Sequence, residues 1–208
     1  RSQPYDFPFA LYQIVTKALR VTLPAQTCVV TIRKRSDPVR FTVDTFQGVV
    51  ATEFRIGSGH DSHRLGQGNP MCLGGVAIER ASEVVAHSDG DVLLHALTDA
   101  LLGAMAWGDI GEWFPDTDPR YQGCDSQEFV ISVLEKIKQE GWTPVNVDST
   151  VFLQSPKLSP YKKVIRKRLA SLMDIPITSI SFKVKTGEHV GPIGRSESIQ
   201  ASVVLLLK

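Results

Sequence analysis

Long apolar runs are missing from this sequence. Lys17 and Arg20 interrupt the first candidate stretch and Asp99 the second, so neither reaches the roughly 18–20 residues that a membrane-spanning helix needs. Cysteine is scarce. The three present, Cys28, Cys72 and Cys124, are odd in number and far apart, which argues against a disulfide framework and a thiolate zinc site and fits a reducing compartment. Charge of one sign is lacking as well: 23 Lys+Arg stand against 22 Asp+Glu, a net +1, so nucleic-acid binding driven by gross charge is excluded. What is there is ordinary globular material. At 208 residues, 42% hydrophobic and 22% charged, the chain is long enough to bury one substantial core.

The balance hides an asymmetry. Residues 1–52 hold seven basic side chains and three acidic ones, a surplus of +4, which leaves 16 against 19, or −3, for the rest. This basic, acid-poor segment has the character of an organelle leader. Yet residues 9–19 read as a short helix and 27–32 as a strand, which a cleaved leader does not need. Three readings stay open for 1–52: a leader, a stray fragment, or the remnant of a fused domain. A leader would place the protein in a plastid; otherwise a cytoplasmic location is expected.

From residue 53 the punctuation gives a map. Residues 54–59 read as a short strand running into a Gly-rich turn, and 71–78 as a second short strand around Gly74-Gly75. A helix is expected over about 90–107, capped by Ser88 or Asp89, with Val92, Leu93, Ala96, Leu97, Ala100, Leu101 and Ala104 at helical spacing. Asp125-Ser126-Gln127-Glu128 resembles a capping box opening a helix that Gly141 ends. Residues 145–153 form a strand, and Ser159-Pro160 an N-cap and first position for a helix to Met173. Residues 180–185 and 199–207 close the chain as strands, the last nearly all apolar and so expected to be buried. Strands alternate with helices. The expected class is α/β: a single α+β sandwich domain over 53–208, a mixed sheet backed by helices on one face.

The chemistry-bearing residues gather where strands end. Asp61 and His63 stand two apart, so in an extended segment both side chains leave from the same side and can grip one metal ion. His95, one helical turn after Asp91, is the natural third ligand. Two His and one carboxylate with an open fourth position make the ligand set of a catalytic zinc or a related divalent Lewis acid. For any single histidine the blander reading, a hydrogen-bonded core residue, is preferred. For three of the five histidines gathered with nearby carboxylates, the metal is. His87 and Ser88 precede the helix, so they are either a phosphate seat at its amide end or a plain cap with an exposed histidine. Lys185-Thr186-Gly187-Glu188 offers a hydroxyl, an amide and a carboxylate, suited to a phosphate with its Mg²⁺.

Taken in order, these runs resemble one family. Arg55-Ile56-Gly57 with Asp61-x-His63, then Ala86-His87-Ser88-Asp89-Gly90-Asp91-x3-His95-Ala96-Leu97-x-Asp99, then Gly108-Asp109-Ile110-Gly111 and Phe114-Pro115-Asp116-Thr117-Asp118 are similar to the 2-C-methyl-D-erythritol 2,4-cyclodiphosphate synthases. The likeness continues through Gln154-Ser155-Pro156-Lys157, Lys185-Thr186-Gly187-Glu188 and Gly194-Arg195-x-Glu197, and leaves the first 52 residues unexplained.

The resemblance implies a homotrimeric lyase of the non-mevalonate isoprenoid pathway, with active sites shared between subunits. It implies conversion of 4-diphosphocytidyl-2-C-methyl-D-erythritol 2-phosphate to the cyclic diphosphate with release of CMP. By position, Asp61, His63 and His95 match zinc ligands, and Glu188 the carboxylate holding Mg²⁺ or Mn²⁺ on the diphosphate. His87 and Ser88 match the phosphate loop, and Thr186 the residue orienting the diphosphate. Asp109 matches the carboxylate that receives the methylerythritol hydroxyls. Gly111 and Asp116 fall in the same substrate loops, Lys157 in the cytidine pocket, and Arg195 with Glu197 near the trimer axis. His87, Thr186 and Glu188 are thereby expected to be catalytic. Two positions depart from the pattern: His60, where an apolar residue is common, and Gly187, where Thr is frequent. Other function classes stay open, a metal-dependent phosphohydrolase releasing inorganic phosphate and a non-catalytic nucleotide-binding module. The basic run Lys162, Lys163, Arg166, Lys167 and Arg168 lacks an aromatic platform and reads as a solvated face.

Overall fold

Alternating burial along the strands places one face of a five-stranded sheet against helices and leaves the other face open. The computed structural model describes residues 53–79 and 81–208; the expected helix at 9–19 and strand at 27–32 lie outside them. In chain order the elements are β1 (Arg55–Asn69), β2 (Val84–Val85), α1 (Val92–Met105), α2 (Ile110–Trp113), α3 (Ser126–Gln139), β3 (Pro144–Phe152), α4 (Lys162–Met173), β4 (Ile180–Lys185), α5 (Gly191–Gly194) and β5 (Ser198–Leu207). The sheet order is β2-β1-β5-β3-β4. β1 and β3 both pair antiparallel with β5, while β3 and β4 run parallel, so the sheet is mixed as expected. Among the described residues no helix is long and apolar enough to cross a membrane.

β1 is far longer than the sequence suggested. Its ladder with β5 runs from Arg55 opposite Leu207 to Arg64 opposite Ser198, straight on past Gly59, where the sequence places the start of a turn. Gly57 and Gly59 serve packing instead. A Cβ on Gly57 would stand 1.8 Å from the Ala100 carbonyl oxygen, and one on Gly59 2.0 Å from that of Ala96. The bare strand therefore lets the backbone of α1 lie directly on it, with Ala96, Ala100 and Ala104 as the matching small-residue stripe.

The expected strand at 71–78 is a tight turn held by one isolated bridge, Cys72 opposite Ala77. Gly74 and Gly75 take positive φ (61° and 71°) and aim their amides at Asp91. Asp91 is also the true cap of α1, in place of Ser88 or Asp89. Its fully buried carboxylate accepts from the Leu93 and Leu94 amides as well as from the two glycines. Burial pushes the Asp91 carboxyl above its usual range, against the pull of those amide donors. The amide end of α1 is thus occupied by the protein's own carboxyl group.

Two further helix starts differ from expectation. Asp125 caps α3 through the Gln127 amide (2.9 Å), but the Glu128 carboxylate accepts from Cys124 Sγ (3.6 Å) rather than closing a capping box. Ser159 does not cap α4; a 3₁₀ turn, Ser159–Tyr161, precedes the helix, which begins at Lys162. On α4, Arg166 reaches back to donate to the Ile180 (2.8 Å) and Ile177 (2.9 Å) carbonyls, tying the helix to β4, while Lys163, Lys167 and Arg168 are exposed.

β5 is not buried throughout. Ile199, Ala201, Val203, Leu205 and Leu207 face the helices, whereas Val204 on the opposite face is 46% exposed, beside Ile56 of β1 at 72%. An apolar last strand with an alternating burial pattern marks a sheet whose outer face is apolar in part.

Candidate metal centre

Asp61 and His63 stand on the helix-facing side of β1, opposite Ala201 and Ile199. His95 comes down to them from the first full turn of α1. Asp61 Oδ2 lies 3.2 Å from His63 Nε2 and 3.0 Å from His95 Nδ1, and the two ring nitrogens are 3.1 Å apart. The three atoms form a near-equilateral triangle. Tetrahedral zinc with ligand bonds of about 2.0–2.1 Å needs a triangle with edges of about 3.3 Å, so this donor set fits the ion without rearrangement beyond a few tenths of an ångström. The imidazole planes meet at 85°, so each ring offers its nitrogen edge-on.

The protonation states suit a cation. Burial raises the Asp61 carboxyl, but the His95 hydrogen bond and the two imidazoles outweigh it and hold the group below the usual carboxylate range. Burial lowers His63, as does the neighbouring His95, and Asp61 only partly opposes them. An ionised carboxylate beside a neutral imidazole is what a metal ion requires. The thiols are unsuited to this role: burial first pushes Cys72 up to about 12 and Cys124 up to about 11.

The triangle opens on a cavity of about 460 Å³, lined on its polar side by His63, His87, Ser88, His95, Gly111 and Asp116. Phe114, Tyr121 and Phe129 form its apolar wall, with the Phe114 and Phe129 rings stacked 4.5 Å apart. His87 is exposed at the mouth. Ser88, in contrast, is buried, and its hydroxyl lies 3.0 Å from His95 Nε2. Asp109 caps α2 by accepting from the Glu112 amide (3.0 Å), and the whole loop is anchored by Asp99 Oδ1, which accepts from the Ile110 amide (2.8 Å). Sequence reading passed over Asp99, although its place one turn beyond His95 on α1 gave the signal.

The remaining expected site residues lie elsewhere. Thr186 donates to Glu188 in the loop after β4, and Gly187 donates its amide to Gln154 Oε1 (3.2 Å). Lys157 is exposed, and Arg195 makes a two-point pair with Glu197 (2.8 and 2.9 Å). Ser62 is level with Gln200, Gln200 with Phe152, and Phe152 with Lys185. Three ladder steps therefore separate the Asp61–His63–His95 triangle from the Thr186–Glu188 loop, roughly 14 Å at normal strand spacing. One chain brings together Asp61, His63, His95, His87, Ser88, Gly111 and Asp116, and holds Lys157, Thr186 and Glu188 apart at the other edge of the sheet. Both departures from the family pattern have a place: His60 is exposed on the open face of the sheet, and a Cβ on Gly187 would stand 2.4 Å from the Gly194 amide nitrogen, so the loop closes more tightly than a threonine allows.

The model of the YgbB family matches residues 54–208. The chain is 46% identical over 154 residues to 2-C-methyl-D-erythritol 2,4-cyclodiphosphate synthase of Bordetella pertussis, covering 74% of this chain and 95% of that one. It is 46% identical over 156 residues to the synthase of Synechococcus elongatus, covering 75% and 98%. The CDP-bound form of a solved 2C-methyl-D-erythritol-2,4-cyclodiphosphate synthase superposes with a TM-score of 0.69 at 41% identity, over 74% of this chain and 100% of the other.

Proposed function

Because the chain belongs to the YgbB family, the 2-C-methyl-D-erythritol 2,4-cyclodiphosphate synthases, we infer that its metal triangle and cavity close 4-diphosphocytidyl-2-C-methyl-D-erythritol 2-phosphate into the cyclic diphosphate, releasing CMP, in isoprenoid precursor synthesis. The observation that carries the assignment is the triangle of Asp61, His63 and His95 beside a cavity with His87 at its mouth and Ser88 in its wall. The attacking 2-phosphate and the receiving diphosphate are both anions, so the site's task is to bring like charges into line. Zn²⁺ at the triangle and Mg²⁺ or Mn²⁺ at Glu188 supply, when bound, the positive charge that neutralises these phosphates.

The protein's own groups do the rest. Asp61, His63 and His95 fix where positive charge sits; His87 and Ser88 meet the substrate phosphate; Thr186 orients the diphosphate through its hydroxyl. Asp109 accepts from the methylerythritol hydroxyls, and Gly111 and Asp116 complete that wall. Lys157 stands at the cytidine pocket. No protein nucleophile is needed, since the substrate's phosphate is ionised near neutral pH and attacks the β-phosphorus itself, displacing CMP. Incubation with substrate and Mg²⁺ is expected to yield CMP and cyclic diphosphate in equal amounts. Inorganic phosphate in place of CMP would assign a hydrolase and overturn this reading.

The roughly 14 Å between the two halves of the site supports a homotrimer in which each active site takes its metal half from one subunit and its nucleotide half from a neighbour. The partly apolar outer face of the sheet, with Ile56 and Val204 exposed, supplies a surface for that assembly, and Arg195 with Glu197 lie toward its axis. A complementation assay tests it. His95→Ala and Glu188→Ala chains, each inactive alone, regain activity when unfolded and refolded together, in about one quarter of the sites if subunits mix at random. Absence of any recovery in mixed trimers would place both halves in one chain.

A further inference from the structure

His95 meets the ligand triangle with Nδ1 and turns its other ring nitrogen into the protein. Nε2 lies 2.8 Å from Ser126 Oγ and 3.0 Å from Ser88 Oγ. Ser126 is the first residue of α3 and is fully buried, and its hydroxyl donates to Asp89 Oδ1 (2.5 Å). Asp89 is itself held fast: Oδ1 also accepts from the Asp91 amide (3.1 Å) and Oδ2 from the Ser126 amide (3.2 Å). A hydroxyl has one proton to give, and a carboxylate can only accept. With the Ser126 proton committed to Asp89, the face that Ser126 Oγ turns to His95 is an acceptor. With a cation at the triangle, Nε2 carries the ring hydrogen to meet that acceptor, and Nδ1 gives its lone pair to the ion in place of the hydrogen bond it otherwise makes to Asp61 Oδ2.

We propose that Asp89 and Ser126 are positioning residues that hold His95 as its Nε2–H tautomer and so aim the Nδ1 lone pair at the metal. The relay reaches the ligand from two elements at once, the loop before α1 and the first residue of α3, which fixes the ring's rotation as well as its proton. It accounts for a buried serine and a carboxylate that the cyclisation does not otherwise use. The proposal rests on the reading of Asp61, His63 and His95 as ligands.

The test uses the full-length protein, stripped of metal and titrated with zinc against a chromophoric chelator, for wild type, Asp89→Asn, Ser126→Ala and Asp61→Ala. Loss of a partner behind a ligating histidine typically costs about 10–100-fold in metal affinity, and that loss is expected in Asp89→Asn and Ser126→Ala. In zinc-loaded protein labelled with ¹⁵N in its histidines, wild type should show His95 coordinated through Nδ1 with a slowly exchanging Nε2–H, and both variants a faster exchange of that proton. A merely structural role would lower the melting temperature and leave both readouts unchanged, which would overturn the proposal. His95 coordinated through Nε2 in wild type would overturn it whether or not the variants fold. Wild-type affinity in Asp61→Ala would remove the ligand triangle itself, whereas loss in Asp61→Ala with none in Asp89→Asn or Ser126→Ala would remove the relay alone.

Discussion

Asp61→Ala and His95→Ala are expected to lower kcat/KM by at least about three orders of magnitude, because a Lewis acid that neutralises phosphate charge supplies several kcal/mol and about 4 kcal/mol is a thousandfold. The fold should survive both changes. Each of these side chains is partly exposed, at 25% for Asp61 and 13% for His95, and the apolar contacts between α1 and the sheet do not pass through either. The two nitrogens left after loss of Asp61 have no anion between them, so bound zinc should fall with activity. Metal content and far-ultraviolet circular dichroism, measured on the same samples, separate loss of the ion from loss of the fold. Near wild-type turnover in metal-stripped Asp61→Ala protein would refute the role assigned to the triangle.

The second large effect is expected in stability, at the glycines under α1. Gly57→Ala and Gly59→Ala each force a Cβ to within about 2 Å of a helix carbonyl oxygen, a position no rotamer can relieve, since the obstacle is backbone on both sides. Either the helix lifts or the strand bends, at a cost of about 3 kcal/mol or more. For a domain of this size that is roughly 6–12 °C in melting temperature. Gly103 is the internal comparison. It lies on the same helix, its added Cβ would meet the Ser58 carbonyl at an ordinary 3.7 Å, and Gly103→Ala is expected to be neutral or to stabilise by up to about 1 kcal/mol through helix propensity. Equal melting temperatures for Gly57→Ala and wild type would show that the close approach of strand and helix is not a constraint.

Those glycines also mark where sequence reasoning reached its limit. Gly59 carries the ordinary signature of a turn and Gly57 reads as one more position of a short strand, and a single chain read locally has no sign that a helix 40 residues later will lie on them. The same is true of Gly74-Gly75, whose amides serve Asp91 rather than a strand ladder. Helices with strong periodicity were legible: α1, α3 and α4 lie where the spacing of their apolar residues puts them, with ends shifted by capping chemistry. Asp91 displaced Ser88 and Asp89 as the cap because only it also had two glycine amides to satisfy while buried. The metal triangle was legible for a simple reason. The two-residue step from Asp61 to His63 survives in any extended strand, and His95 follows on the face of α1 that the alanine stripe presses onto that strand.

What could not be read locally is the relation between parts far apart in sequence. The Thr186–Glu188 loop is as well marked as the ligand residues, but its distance from them depends on strand order, and β5 and β3 intervene. Ser126 read as part of a capping signature; its hydroxyl goes to Asp89 because α3 packs beside the loop that precedes α1. The partly exposed apolar face of β5 likewise follows from alternation in a one-sided sheet, where a run of apolar residues alone suggests burial on both faces.

Zinc titration into metal-stripped protein at fixed Mg²⁺, with CMP release followed at each step, puts the central proposition to its most direct test. Release should rise in proportion to zinc bound and level off at one ion per chain, with Asp61→Ala flat throughout. Full-rate CMP release from protein that holds no zinc, or a plateau unaffected by loss of Asp61, would contradict the account.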